Sequence, residues 1–243
     1  MNIQYILSKC DHSLLAPAAT LVRIKTLIDE AVAFKTASVC IPPSFVARAT
    51  EYVKEKYKDM GGVLFKLAAG AAKYVNGKIP VCTVIGFPNG YSVASAKVLE
   101  AETAIADGAE EIDTVINVGD VKDGAYGSIL TELQLIKSVC GNKILKVIIE
   151  ACLLTDAEKI EMCKVVTDSG ADFIKTSTGF SSGGATLADV ELFKKHVGKG
   201  VKIKAAGGIR TLETANAFIS AGADRIGASA LIQAAIEAGY TPK

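Results

Sequence analysis

Eight times along this chain a short run rich in Val and Ile is followed by a longer stretch with apolar residues at helical spacing. The runs predict strands over Ile6–Cys10, Ser38–Ile41, Val81–Ile85, Glu111–Val115, Lys146–Ile149, Phe173–Lys175, Val201–Ala205 and Arg225–Gly227. Runs this short and this apolar suit strands covered on both faces, as in a parallel sheet, and parallel neighbours need a crossover segment after each strand. The intervening stretches supply it. They predict helices over Thr20–Phe34, Ser44–Lys56, Ser95–Asp107, Tyr126–Cys140, Thr155–Ser169, Thr186–His196, Leu212–Ala221 and Ser229–Ala238. Thr155 with Glu158 three residues on has the form of a capping box, and Thr186 with Asp189 repeats it. Three helices close on the same pair before the next strand, Gly108-Ala109, Gly170-Ala171 and Gly222-Ala223. A glycine there can turn left-handed and stop the helix, so the repeat marks one βα unit.

Eight such units in 243 residues, with no Pro- or Ser-rich linker between them, predict an α/β fold: a single-domain (β/α)8 barrel of the TIM type over residues 1–243. An open doubly wound sheet is the competing arrangement. It normally carries a G-x-G-x-x-G turn after its first strand, and here Asp11-His12-Ser13 stands in that place.

Charge and cysteine content exclude several classes of function. Lys and Arg number 27 against 26 Asp and Glu, a net +1 that gives no electrostatic reason to expect a nucleic-acid or charged-membrane partner. No apolar run approaches the ~18 residues of a membrane span. The first residues lack the basic and apolar regions of a secretory signal, so the expected location is the cytoplasm. Six cysteines form no C-x-x-C pair and only two histidines exist, which argues against a metal site and for reduced, buried thiols.

In a barrel of this kind the chemistry gathers at the C-terminal ends of the strands. The polar residues expected there are Cys10 and Asp11, Cys40, Asp113, Asn117, Glu150, Lys175 to Thr178, Lys204, Gly207 and Gly208, and Gly227 with Ser229. Lys175 and Lys204 matter most. Two lysines in one low-dielectric mouth disfavour each other's charged form, and a neutral amine can attack a carbonyl and form an imine. Residue pattern alone leaves open which of the two does so, and each could instead reach solvent or pair with a carboxylate. Lys202 has the same parity as Lys204 but lies nearer the strand start, so solvent at the barrel bottom is its expected environment. Asp113 could relay protons or hold Lys204 by a salt bridge. Gly207-Gly208 and Gly227 with Ser229 follow the seventh and eighth strands, where barrels often seat a phosphate on backbone N–H groups, with Arg210 adding charge. Ser181-Ser182-Gly183-Gly184 could join that site. Cys40 and His12 are candidates for lining the pocket, with a buried thiol and a turn-capping histidine as the plainer readings.

Two segments resemble the signatures of the deoxyribose-phosphate aldolase family: Asp172-Phe173-Ile174-Lys175-Thr176-Ser177-Thr178-Gly179 and Lys204-Ala205-Ala206-Gly207-Gly208-Ile209-Arg210. Thr83 to Pro88, Glu111 to Asp113 and Lys146 to Glu150 are similar as well, so the likeness runs from about Cys10 to Gln233. The resemblance implies a class I aldolase on a TIM barrel, without metal or other cofactor. It implies reversible cleavage of 2-deoxy-D-ribose 5-phosphate to acetaldehyde and D-glyceraldehyde 3-phosphate. Lys175 would carry the Schiff base, Lys204 would lower its pKa and assist proton transfer, and Asp113 would work with Lys204. Gly207, Gly208, Gly227, Ser229, Thr178 and Gly179 would hold the sugar phosphate. The family also suggests a homodimer. Some members carry Lys after the T-S-T-G segment where this chain has Phe180, which leaves backbone N–H groups of Ser181 to Gly184 to compensate. Three other readings remain: a different Schiff-base aldolase or transaldolase, a non-catalytic sugar-phosphate-binding barrel, and an isomerase using Glu150 as base.

Overall fold

The computed structural model describes residues 1–56 and 79–242; residues 57–78 and 243, which the single-domain reading includes, lie outside it. Eight strands form a closed barrel in chain order: β1 Cys10–Ser13, β2 Ser38–Ile41, β3 Val81–Ile85, β4 Glu111–Val115, β5 Ile144–Ile148, β6 Phe173–Lys175, β7 Lys202–Ala206 and β8 Arg225–Ala228. Every pairing is parallel, and β1 closes on β8 through Cys10↔Ile226 and Asp11↔Gly227. The helices among the described residues are α1 Ile3–Leu7, α2 Leu21–Ala33, α3 Val46–Lys56, α4 Ala94–Ala106, α5 Val118–Lys122, α6 Tyr126–Cys140, α7 Asp156–Asp168, α8 Leu187–His196, α9 Leu212–Ala221 and α10 Leu231–Glu237. The Thr155–Glu158 capping box opens α7, and Thr186 caps α8 by accepting from the Asp189 amide. The three repeated glycines do take positive φ, 104° at Gly108, 76° at Gly170 and 123° at Gly222.

The first predicted strand is wrong in kind at its start. Ile6 and Leu7 belong to α1, whose first turn Asn2 caps by accepting from the Tyr5 amide at 3.1 Å. Both are fully buried, and α1 packs against α9 and α10. A short apolar run has the same composition whether helix or strand buries it. The consequence is functional: the strand begins at Cys10, so Asp11 lies inside the barrel wall and not in a loop after it. Smaller shifts act the same way. β5 starts two residues before Lys146, and β7 runs from Lys202 to Ala206, so Lys204 sits mid-strand. A 3-10 turn, Pro43–Phe45, precedes α3 where the prediction had α-helix. Asn117 caps the unforeseen α5 through the Gly119 amide at 3.1 Å. The last helix begins at Leu231, leaving Ser229 in the bend before it.

Strand register divides the wall into two faces. The outward set, including Val39, Ile41, Val81, Ile112, Leu145, Val147, Ile174, Ile203 and Ile226, joins the helices in one large apolar core. The inward set is unusual for a barrel, whose interior is normally filled by branched aliphatics. Here Asp11, Glu111, Asp113, Lys146, Lys175 and Lys204 point inward, and all are buried. Lys202 is exposed at the start of β7, as expected, with its ammonium 5.6 Å from the Phe173 ring centroid.

Candidate active site

Register brings the charges together. Asp113 on β4 is paired with Lys146 on β5, and Lys175 on β6 with Lys204 on β7. Asp113 reaches across from the far wall. One carboxylate oxygen accepts from Lys175 at 2.7 Å and Lys204 at 2.8 Å, and the other accepts from Lys146 at 2.7 Å. Asp11, from β1, takes Lys204 at 2.5 Å and Arg225 at 2.7 Å. Beneath them Glu111 accepts from Arg225 at 2.7 Å and lies 2.6 Å from Lys146. The three residues singled out from sequence, Lys175, Lys204 and Asp113, do meet. Asp11 was foreseen only as a strand-end residue. Lys146, Glu111 and Arg225 were not singled out at all.

Charge counting orders the three lysines. The cluster holds four cations (Lys146, Lys175, Lys204, Arg225) and three anions (Asp11, Glu111, Asp113). Lys146 has three carboxylate partners, Lys204 two and Lys175 one. The expectation that both strand-end lysines favour the neutral amine is therefore corrected for Lys204. Burial pushes its pKa down, but Asp11 and Asp113 push it up further, well above the usual lysine range. Lys146 is raised for the same kind of reason, with Asp113 the largest opposing influence on burial. Burial would raise Asp113 too, but Lys146, Lys175 and Lys204 hold it well below the usual carboxylate range. Arg225 and Lys204 do the same for Asp11 against its burial.

These depressed carboxyls make folding sensitive to acid. An Asp unfolded titrates near about 3.9 and the folded groups lie lower, so the unfolded chain takes up protons first as pH falls. The stability they supply is complete well above that value and is lost as pH drops through it toward the folded pKa values. Urea midpoints measured from neutral pH downward should be level and then fall in the ordinary carboxylate range, with the slope m unchanged. A level profile through that range would contradict the placement of Asp113 and Asp11.

The loops after β6 and β7 are one structure. The Ala185 amide donates to the carbonyls of Ala206 at 3.1 Å and Gly207 at 3.2 Å. A Cβ on Gly184 would fall 2.3 Å from the Gly207 carbonyl oxygen, so only glycine permits the contact. Gly179 lies against Gly207, and Gly207 and Gly208 take φ of 88° and 79°. Ser229 and Arg210 are exposed at this end. Gly227 also has a packing role: a Cβ there would come 3.1 Å from Cε of Lys204. The Thr178 hydroxyl is turned to Glu150, to which it donates, and the Thr178 amide donates to the same carboxylate at 3.2 Å. Glu150 is thus committed to holding the β6 loop, which removes the free base an isomerase reading needs. Phe180 is exposed and meets Phe87 edge-on, centroids 5.2 Å apart.

Cys40 faces inward beside Cys82 and Asp113. His12 does not line the pocket and caps no turn. It lies within β1 and bonds Glu30 of α2 at 2.9 Å. Cys152 is exposed, against the expectation of buried thiols, while Cys10, Cys40, Cys82, Cys140 and Cys163 are buried. Among the described residues two groups could offer metal donors, Cys40, Cys82, Asp113 and Asp11, Cys82, Glu111. The Lys146 ammonium already occupies their midst, 3.2 Å from Cys82 and 2.7 Å from Asp113, so a cation of the protein's own fills that place. No described helix is long and apolar enough to cross a membrane.

Amines held against carboxylates in the buried interior of a parallel barrel, with glycine-built loops beside them, define an enzyme that works on carbonyl compounds. Its family follows from comparison. Residues 6–235 match the model of the DeoC/LacD family aldolases. A deoxyribose-phosphate aldolase of Streptococcus pyogenes serotype M4 is 52% identical over 233 residues, covering 96% of this chain and 95% of its own. A solved aldolase structure superposes with a TM-score of 0.81 at 36% identity, covering 96% of this chain and 95% of its own. The tetrameric deoxyribose phosphate aldolase of Aeropyrum pernix gives 0.78 at 27% identity, covering 98% and 94%. The chain belongs to the DeoC/LacD aldolase family.

Proposed function

We propose that the protein reversibly cleaves 2-deoxy-D-ribose 5-phosphate to acetaldehyde and D-glyceraldehyde 3-phosphate through a Schiff base on Lys175. The observation that carries this reading is the Lys175–Asp113–Lys204 bridge. The four cations exceed the three anions by one, so loss of one proton balances the cluster. Lys175 has one carboxylate partner where Lys204 has two and Lys146 three, so its amine is the one least committed to the cluster and the one placed to meet substrate. That amine adds to the substrate's C1 aldehyde, and loss of water leaves a protonated imine. The imine draws in the electron pair of the C2–C3 bond as it breaks. The C3 hydroxyl passes its proton by way of Asp113 to Lys204, which gave one up as water left, and this frees glyceraldehyde 3-phosphate. The enamine left on Lys175 takes a proton at C2, and water releases acetaldehyde. Lys204, held as ammonium by Asp11 and Asp113, supplies the proton, and Asp113 passes it on. No metal is needed, because the imine is the electron sink.

The joined loops at Gly179, Gly207 and Gly208, together with Ser229 after β8 and with Gly227 in that strand, would hold the 5-phosphate and fix the reacting end by remote binding energy. Thr178 supports them through Glu150. Gly184→Ala should therefore raise KM for deoxyribose 5-phosphate about tenfold, with kcat changed less. For unphosphorylated deoxyribose KM should move little; an equal rise for both sugars would remove the phosphate from this loop. The family resemblance gives a cytoplasmic homodimer as the working form, set against the tetramer of the Aeropyrum pernix relative. Sedimentation distinguishes the two.

The test of the activity is acetaldehyde release from deoxyribose 5-phosphate, followed by coupled reduction, with and without EDTA. Equal release in both is expected. No release, or condensation only with a donor other than acetaldehyde, would move the protein to another lysine aldolase. Tight binding without turnover would make it a sugar-phosphate binder.

A further inference from the structure

Two thiols stand beside the reacting groups, and the mechanism uses neither. Cys40 and Cys82 are register partners on β2 and β3. Neighbouring strands run about 4.8 Å apart, inside the ~4.4–6.8 Å of Cα separation that a disulfide bridges. Both side chains point into the barrel, where with Val84, Leu15 and Phe87 they form a small apolar cluster separate from the main core. Their sulfurs and an Asp113 carboxylate oxygen all lie within 4.8 Å of one another. The Cys82 thiol donates to Asp113 at 3.2 Å, and the Lys146 ammonium lies 3.2 Å from the same sulfur.

We propose that Cys40 and Cys82 are a redox-sensitive pair that a peroxide oxidises to a disulfide across β2 and β3, turning the site off. The Cys40 sulfur attacks the peroxide O–O bond, giving a sulfenic acid and water. The Cys82 sulfur then displaces the sulfenic oxygen, which leaves as a second water with the remaining thiol proton. The two thiols lose two electrons and the peroxide gains them. A thiolate is the attacking species. Cys40 is suited to that role, because the Cys82 side chain beside it lowers its pKa, and Lys204 and Lys175 act in the same direction, against burial and the Asp113 carboxylate. The buried thiols Cys10, Cys140 and Cys163 lie in the main apolar core, and burial pushes Cys10 and Cys163 up to about 12 and Cys140 to about 11. Hydrogen peroxide is no larger than the acetaldehyde that must leave Lys175, so the route substrate takes also admits the oxidant. Once bonded to Cys40, Cys82 has no S–H for Asp113. The carboxylate that holds both Lys175 and Lys204 then loses a fixed donor as the sulfur beside it moves toward β2.

The oxidant's route and the loss of turnover rest on the proposed function; the pairing of the two thiols rests on the strand register alone and is read directly by peptide map. The full chain carrying Cys152→Ser, which removes the exposed thiol, is treated with hydrogen peroxide and quenched with an alkylating agent. It is then digested and mapped, while cleavage activity is followed in parallel. A Cys40–Cys82-linked peptide is expected, together with an activity loss of at least about tenfold that dithiothreitol restores. Cys82→Ala, or Cys40→Ala if the first does not fold, should keep the same fraction of its own untreated activity under peroxide. Absence of the linked peptide, or a loss that persists in these variants, overturns the pair. A linked peptide with undiminished turnover overturns the switch. Absence of turnover before any oxidant is added strikes the aldolase reading instead and leaves the thiol chemistry to the peptide map.

Discussion

Lys175→Met should remove cleavage activity, lowering kcat/KM by roughly ten-thousand-fold or more, and leave the protein at least as stable as before. The two halves of that expectation have one cause. On the proposed mechanism Lys175 is the amine that forms the imine, and the other two described lysines inside the barrel are each held by two or more carboxylates. Lys175 is also the surplus cation. Without it three cations face three anions, and Asp113 keeps Lys146 at 2.7 Å and Lys204 at 2.8 Å. Met fills the lysine stem's volume without a charge, so the wall closes around it at little cost. Kinetics and a denaturation midpoint on one preparation check both halves. A variant that loses activity by unfolding would show that Lys175 holds the barrel together and would take away the reason for assigning it the chemistry.

Asp113→Asn should behave in the opposite way. It removes the one carboxylate that three lysines share and leaves four cations against two anions. Breaking a buried pair by removing one partner typically costs about 3–5 kcal/mol, because the other charge stays buried and uncompensated. Here three charges are affected, so the loss should reach that range, and turnover should fall with it as Lys204 loses its link to Lys175. The double variant Asp113→Asn with Lys146→Met removes an anion and a cation together. It should recover part of the stability and none of the turnover. Urea midpoints for the single and double variants measure this. If the double variant is less stable than the single, Lys146 packs by its stem and the charge count does not govern this site.

How much of this could be read in the sequence depends on what each residue's neighbours reveal. β4 was legible in both position and extent, because Glu111–Val115 lies between a glycine stop and an asparagine cap. β1 was not, because Ile6 and Leu7 are equally apolar against a helix and against a sheet. Lys175 was legible as a strand-end lysine, Lys204 as an inward lysine placed too far along its strand, and Asp113 as a carboxylate near them. The counterions were harder. Which strands face one another across a barrel depends on tilt and stagger, and no local pattern carries that information. So the salt bridge from Asp113 to Lys204 was foreseen, but Asp11 could not be seen joining it there, nor could Asp113 be seen shared among three lysines. Lys146 did leave a signal. It stands inside Ile144-Leu145-Lys146-Val147-Ile148, where a lysine is rarely found unpaired. A search confined to strand ends passes over it. The thiol pair was invisible for the same reason as the counterions, since Cys40 and Cys82 are 42 positions apart and meet only through the register of β2 and β3.

The most direct test of the central claim is borohydride reduction in the presence of deoxyribose 5-phosphate, followed by peptide mapping of the modified lysine. A stable adduct on Lys175, in the segment running from Asp172 to Gly179, is the predicted result. An adduct on Lys204 or Lys146 would keep the imine chemistry and contradict the charge count that assigns it to Lys175. No adduct on any lysine, in a folded protein that binds the sugar phosphate, would contradict the Schiff-base account altogether.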